Sequence, residues 1–150
     1  MLPDIFQLIK KLDSLDYVVE EELATILLLM LKLKKPLLLE GPPGVGKTEA
    51  SQIIASYLNT KLIRLQCYEG LDVNSAVYEW NYQKQLLSIK LTESSALSSV
   101  EKESHIFGDE FLLKRPLLQA ITESDKAPVL LIDEIDRADE EFEAFLLELL

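Results

Sequence analysis

The chain holds one cysteine, one histidine, few glycines and too few basic residues to balance its acids. Each shortage excludes something. Cys67 has no partner within the chain, so no intrachain disulfide staples the fold, and a reducing compartment, the cytoplasm, is the expected setting. It follows an apolar run and reads as a small buried side chain. His105 stands in a polar stretch with no second histidine and no cysteine pair, which argues against a zinc site, and it reads as a surface residue. The balance of 15 basic to 26 acidic residues gives a net charge of −11. A general nucleic-acid binder needs clustered Lys and Arg to neutralise phosphates, so nucleic acid is not the expected partner. The most apolar run, Leu23 to Leu31, contains Thr25 and lies between Glu20, Glu21, Glu22 and Lys32. It falls far short of the roughly 20 residues a bilayer span requires and reads as a core helix. Asp4 interrupts the start, and no charged segment precedes an apolar core there, so no secretory signal is read. No internal repeat is visible.

What remains is ordinary for one globular domain: 150 residues, 48% hydrophobic and 27% charged. Residues 4 to 12 have the spacing of a short amphipathic helix with Asp4 as N-cap. A second helix is expected over about 19 to 33, ended by Pro36. Leu37 to Leu39 is a short apolar run before glycine, which suits a buried parallel strand. Ala50, Ile53, Ile54, Tyr57 and Leu58 then fall on one helical face, and Asn59 can close that helix. Leu62 to Leu65 is a second short strand. Residues 67 to 110 are harder to read: LLSIKL suits a strand of a hairpin, and SSALSSVEKES a surface loop. A helix fits 109 to 123, with Pro116 expected to kink or break it. Val129 to Ile132 is a third buried strand. The last helix follows, with Phe142, Phe145, Leu146, Leu149 and Leu150 on one face and Asp139 at its start. Alternating elements of this kind indicate an α/β fold with a parallel sheet flanked by helices.

Two stretches carry chemistry. Gly41-Pro42-Pro43-Gly44-Val45-Gly46-Lys47-Thr48 satisfies GxxxxGK[ST], the P-loop pattern. Glycines let the chain turn sharply and bring backbone N–H groups close to phosphate oxygens. The helix starting near Lys47, with Glu49 in its first turn, adds its positive dipole end to that anion site. Lys47 would reach the β- and γ-phosphates of ATP, and the Thr48 hydroxyl would coordinate Mg²⁺. An apolar strand before the loop and an amphipathic helix after it are the context this mechanism requires. The second stretch is VLLIDEID. Its apolar residues place Asp133 at a strand end, where it can hold Mg²⁺. Glu134 follows at once, where a carboxylate can orient and deprotonate the water that attacks the γ-phosphate. GTPases and small-molecule kinases with a P-loop generally lack that glutamate, so hydrolysis of ATP is favoured over phosphoryl transfer to a metabolite.

LLLEGPPGVGKTEA together with PVLLIDEIDRADEEFEAFLLELL resembles an AAA+ ATPase of the MoxR group. LIRLQCYEGLDVNSAVYEWNYQKQLL and EFLLKRPLLQAI resemble the same group, including its branch linked to metallocofactor maturation. The resemblance runs from about residue 17 to the end. It implies a P-loop NTPase fold of the AAA+ or ASCE type, with residues 1–36 as linker and helices and 37–150 as core. It implies a ring-forming ATPase, commonly hexameric, that remodels a protein client and often works with a von Willebrand factor A domain partner. By the same resemblance Tyr17 and Val18 lie near the adenine, or else are ordinary residues flanking a helix. Tyr78, Trp80 and Tyr82 lie on a ring-lining loop, or else simply pack.

The family pattern continues with a sensor strand, an arginine finger and a helical lid, none of which these 150 residues carry. The chain therefore reads as a partial AAA+ module whose sheet stops after the VLLID strand and its following helix. Loss of the sensor strand would deprive both the P-loop strand and the VLLID strand of a neighbour, and leave Phe142, Phe145, Leu146 and Leu149 exposed and prone to aggregate. Feeble hydrolysis is the expected consequence, because a trans arginine is worth roughly 10³ to 10⁵ in rate. The rival readings are a nucleotide-binding or interaction fragment without catalysis, a P-loop kinase and a DNA-remodelling ATPase.

Overall fold

A computed structural model describes residues 4–92 and 104–150. The chain opens with two helices, α1 (Ile5–Asp13) and α2 (Glu21–Leu33). The Asp4 side chain accepts a hydrogen bond from the Gln7 backbone N–H at 2.8 Å, satisfying one free donor of the first turn of α1. α2 stops before Pro36, at Lys34, which adopts the left-handed conformation (φ 54°) and returns its N–H to the Met30 carbonyl.

The phosphate-loop stretch runs into α3 (Lys47–Leu58), which Asn59 closes in the left-handed conformation (φ 51°). β1 (Leu62–Gln66) follows, then α4 (Val73–Val77), β2 (Tyr78–Trp80) and α5 (Tyr82–Thr92). A 3-10 turn (Asp109–Phe111) leads to β3 (Leu112–Lys114) and α6 (Pro116–Thr122). The chain then forms β4 (Val129–Asp133), a second 3-10 turn (Ile135–Arg137) and α7 (Glu140–Leu149). Asp139 caps α7 by accepting from Phe142 N–H at 2.9 Å.

β1 and β4 pair in parallel, from Leu62 opposite Val129 to Gln66 opposite Asp133. Helices cover both faces of this pair. On one side Leu65, Cys67, Leu71, Ala76, Leu117, Phe142 and Leu146 form a buried cluster that joins β1 to α4, α6 and α7. On the other, Leu8, Leu12, Leu27, Leu28, Ile53 and Ile54 join α1, α2 and α3, with Val129 packed against them. A parallel sheet between two helical layers is the α/β arrangement read from the sequence.

Five expectations change. Leu37 to Leu39 forms no strand: no ladder partner lies beside it among the described residues, and an apolar run without one cannot make a sheet hydrogen bond. Leu37 still packs against the second cluster, while Leu38 points outward. The VLLID strand keeps a neighbour in β1, so only the P-loop side goes without a ladder. LLSIKL is helical, inside α5, and four of its apolar residues are exposed, so its pattern does not report a buried face. Residues 109 to 123 are not one helix: Pro116 starts α6 at its first position, where a missing N–H costs nothing, and β3 precedes it. Phe142 and Leu146 are 1% and 2% exposed, so the middle of that face of α7 is core, while Leu149 at its end is exposed as expected, as are Leu147 and Leu150. The loop expected over SSALSSVEKES lies almost wholly outside the described residues. Cys67 is fully buried and His105 lies at the surface beside Glu110, both as expected.

Candidate functional site

The phosphate loop is shaped by three positive φ angles, 150° at Gly41 and 85° at both Gly44 and Gly46. A Cβ at Gly44 would meet nothing within 4 Å, so space is not what requires glycine there. The left-handed backbone is, since an L side chain in that region costs roughly 1–2 kcal/mol. Gly46 serves as N-cap of α3 and makes no side-chain cap hydrogen bond, so the first turn's N–H groups have no partner within the helix. The loop from Gly41 to Val45, with Pro42 and Pro43 in it, is exposed.

Lys47 folds back across this loop. Its Nζ donates to the Gly41 carbonyl at 2.6 Å and the Pro42 carbonyl at 2.8 Å. The ammonium is therefore held against the loop's own carbonyl oxygens. Thr48 follows in the first turn of α3, half-buried, with its carbonyl accepting from Ser51 Oγ at 2.6 Å.

The acidic side is placed by the sheet. Leu130 and Ile132 pack into the first cluster and Val129 into the second. Side chains alternate along a strand, so Asp133 lies on the face of Val129, the face that α3 covers. The Cys67 N–H extends the ladder to the Asp133 carbonyl at 2.8 Å. Arg64 Nη2 donates to Asp133 Oδ2 at 2.6 Å. Glu134 adopts the left-handed conformation (φ 54°), an uncommon state for a residue with a side chain, and its N–H donates to Asp133 Oδ1 at 3.1 Å. Arg137 Nη1 donates to Glu134 Oε2 at 2.9 Å.

Tyr17 packs against the α1–α3 cluster. Burial, and then the negative charge of Glu49, push its hydroxyl above the usual tyrosine value. Val18 is 89% exposed. Tyr78 and Trp80 belong to β2, which pairs antiparallel with β3, and Trp80 meets Tyr78 and Phe107 edge-on. These two rings therefore sit in a small ladder rather than a loop, while Tyr82 begins α5. Burial, then Asp133 and Asp136, push the Cys67 thiol up, so it stays protonated and inert beneath the acidic end.

Arg64, Gln66 and Arg137 are the residues that sequence reasoning passed over. A signal existed for each arginine. Arg64 is the charged residue in an otherwise apolar strand start, LIRLQ, and Arg137 follows Glu134 by three, the reach of one helical turn.

The donor set suits Mg²⁺. A hydroxyl and a carboxylate are hard oxygen donors, and Mg²⁺ takes one or two protein oxygens and completes its shell with phosphate and water. Among the described residues no three His, Cys, Asp or Glu side chains gather into a group that could hold a metal ion. A separate concavity lined by Asn59, Thr60, Lys61, Glu123, Asp125 and Lys126 lies at the amino ends of β1 and β4. Ligands of open parallel sheets bind at the carboxyl ends. Both of its lysines are engaged, Lys61 with Glu123 at 2.7 Å and Lys126 with the Leu58 carbonyl.

A glycine loop feeding a helix start, and an acidic strand end on the face that helix covers, define a P-loop nucleotide-binding α/β domain. Residues 36–150 match the family model of the AAA domain, dynein-related subfamily, and the chain belongs to that family. Members of this family are nucleotide-binding ATPases that commonly assemble as oligomeric rings. No curated protein and no solved structure matches the chain. No helix among the described residues is long and apolar enough to cross a membrane.

Proposed function

We propose that the chain is the ATP-binding and ATP-hydrolysing module of a MoxR-type remodelling ATPase, assisting metallocofactor insertion or the maturation of an enzyme complex. The observation that carries the catalytic reading is the placement of Asp133 on the sheet face covered by α3, whose first turn holds Lys47 and Thr48. In this reading the loop amides from Gly41 to Gly46 and the Lys47 ammonium bind the phosphates. Lys47 leaves two carbonyl acceptors to do so, exchanging neutral partners for charged ones, which make stronger hydrogen bonds. Thr48 Oγ1 and Asp133 hold Mg²⁺, which when bound neutralises charge on the transferring phosphoryl group. Glu134 turns away from Arg137 to take a proton from the attacking water. Tyr17, with Val18 beside it, borders the adenine.

The subgroup rests on LIRLQCYEGLDVNSAVYEW, which forms β1, α4 and β2, and on EFLLKRPLLQAI, which reaches from the first 3-10 turn to α6. A hexameric ring in the cytoplasm, a von Willebrand factor A domain partner and a protein client go with that subgroup. One observation favours a second reading, nucleotide binding without turnover: Glu134 is already engaged by Arg137, at 2.9 Å.

Titration of the chain with Mg·ATP in a calorimeter tests the phosphate site. Lys47→Ala is expected to weaken binding by about tenfold to a hundredfold, the worth of a charged hydrogen-bond donor. Equal affinity in the variant would refute the assignment of Lys47.

A further inference from the structure

Arg64 stands opposite Leu131 in the β1–β4 register, on the sheet face that also presents Asp133. From there its guanidinium reaches two residues along the ladder. Nη2 is shared between Asp133 Oδ2 at 2.6 Å and Gln66 Oε1 at 2.7 Å. The other carboxylate oxygen, Oδ1, accepts from the Glu134 N–H at 3.1 Å. Both oxygens of Asp133 are thus held by protein donors. The two side chains differ in freedom: Arg64 is 54% exposed and Asp133 21%. The guanidinium has solvent to swing into, whereas the carboxylate is fixed at the end of a paired strand.

We infer that Arg64 is an internal counter-cation for Asp133, and that it sets how strongly nucleotide binding depends on Mg²⁺. The inference rests on the reading of Asp133 as a magnesium ligand. Without metal, the guanidinium neutralises a carboxylate that would otherwise repel the phosphates of ATP. With metal, two cations compete for one carboxylate, and the arginine must withdraw or tolerate like-charge repulsion. Arg64 therefore strengthens the binding of metal-free ATP and reduces what Mg²⁺ adds. Binding is reciprocal, so the same residue raises the Mg²⁺ concentration needed for half-saturation of the ATP complex. A residue that only oriented Asp133 for the metal would act in the opposite direction.

The test measures ATP affinity by calorimetry in EDTA and across a Mg²⁺ series, for the unmodified chain and for Arg64→Gln. In EDTA the variant is expected to bind ATP about twofold to fivefold more weakly. Its gain from Mg²⁺ is expected to grow by about the same factor, the worth of a half-exposed ion pair. In an Asp133→Asn background, Arg64→Gln should leave the Mg²⁺ dependence unchanged, since the pair is already broken. Should Arg64→Gln fail to fold by circular dichroism, Arg64→Met keeps the apolar stem and carries the same expectations. Equal weakening with and without Mg²⁺, or a smaller gain from Mg²⁺, overturns the inference and leaves Asp133 as a ligand untouched. No ATP binding by the unmodified chain overturns the nucleotide reading and this inference with it.

Discussion

Between Gly41 and Thr48 the protein builds its half of the site from backbone, with positive φ angles at three glycines, a helix start and a lysine bonded to the loop's own carbonyls. Between Asp133 and Arg137 it builds from side chains, with a carboxylate brought into place by strand register and held by Arg64, and a second carboxylate held by Arg137. The first half sits on no strand ladder among the described residues. The second is the end of one. The loop's geometry is therefore written locally and tolerates change elsewhere. The acidic end depends on β1, α6 and α7 keeping β4 in position.

The sharpest way to separate the halves is to remove the chemistry of one while sparing the binding of the other. Glu134→Gln should lower ATP turnover by about 10² to 10⁴, the usual contribution of a general base, while calorimetric affinity for Mg·ATP stays close to that of the unmodified chain. Turnover that persists in Glu134→Gln would reassign the base. Phe142→Ala attacks the support of the acidic half, since Phe142 is buried in the cluster beneath β4. A loss of about 3–5 kcal/mol in urea unfolding is expected. A loss below about 1 kcal/mol, too small for a filled core site, would mean that β4 is held from the α3 side instead.

Gly44→Ala probes the other half alone. The strain of a side chain at φ 85° is worth roughly 1–2 kcal/mol, and it should appear as weaker ATP binding, about fivefold to thirtyfold, with the first cluster intact by urea unfolding. Unchanged affinity would show that the nucleotide-bound loop does not use that conformation. The smallest effect comes from acid and touches neither half. Asp72 is held below the ordinary carboxylate value chiefly by the Ser75 N–H, and Glu123 chiefly by its hydrogen bond from Lys61. Their folded values are depressed, so their contribution is present above about pH 4 and is lost as pH falls through the folded values. Urea midpoints should stay level from pH 7 to about 5 on account of these two groups and decline below about 4. Asp72→Asn should flatten part of that decline.

The unread parts failed for physical reasons. Leu37 to Leu39 has the composition of a buried strand, but a strand exists only as one side of a ladder. Leu86, Leu87, Ile89 and Leu91 fit neither period cleanly and are exposed in α5, so no buried face was there to be read. Tyr78 to Trp80 is too short to announce a strand, and what makes it one is Leu112 to Lys114, far along the chain. Pro116 interrupts the 109–123 run, yet a proline that ends one element can equally begin the next, and here it starts α6.

By itself the sequence determined what depends on neighbours in the chain. The glycine loop and its helix, the caps at Asp4 and Asp139, the apolar strands around Leu65 and Leu131, and the pairing of Asp133 with Glu134 in one turn all act over a few residues. Only the tertiary structure decided which partners those residues meet. It set Arg64 against Asp133 across a parallel ladder, packed Tyr17 against the cluster of α1, α2 and α3, and buried Phe142 and Leu146 under the sheet. Such contacts join residues tens of positions apart, and their identity is fixed by register and packing, which no local pattern contains.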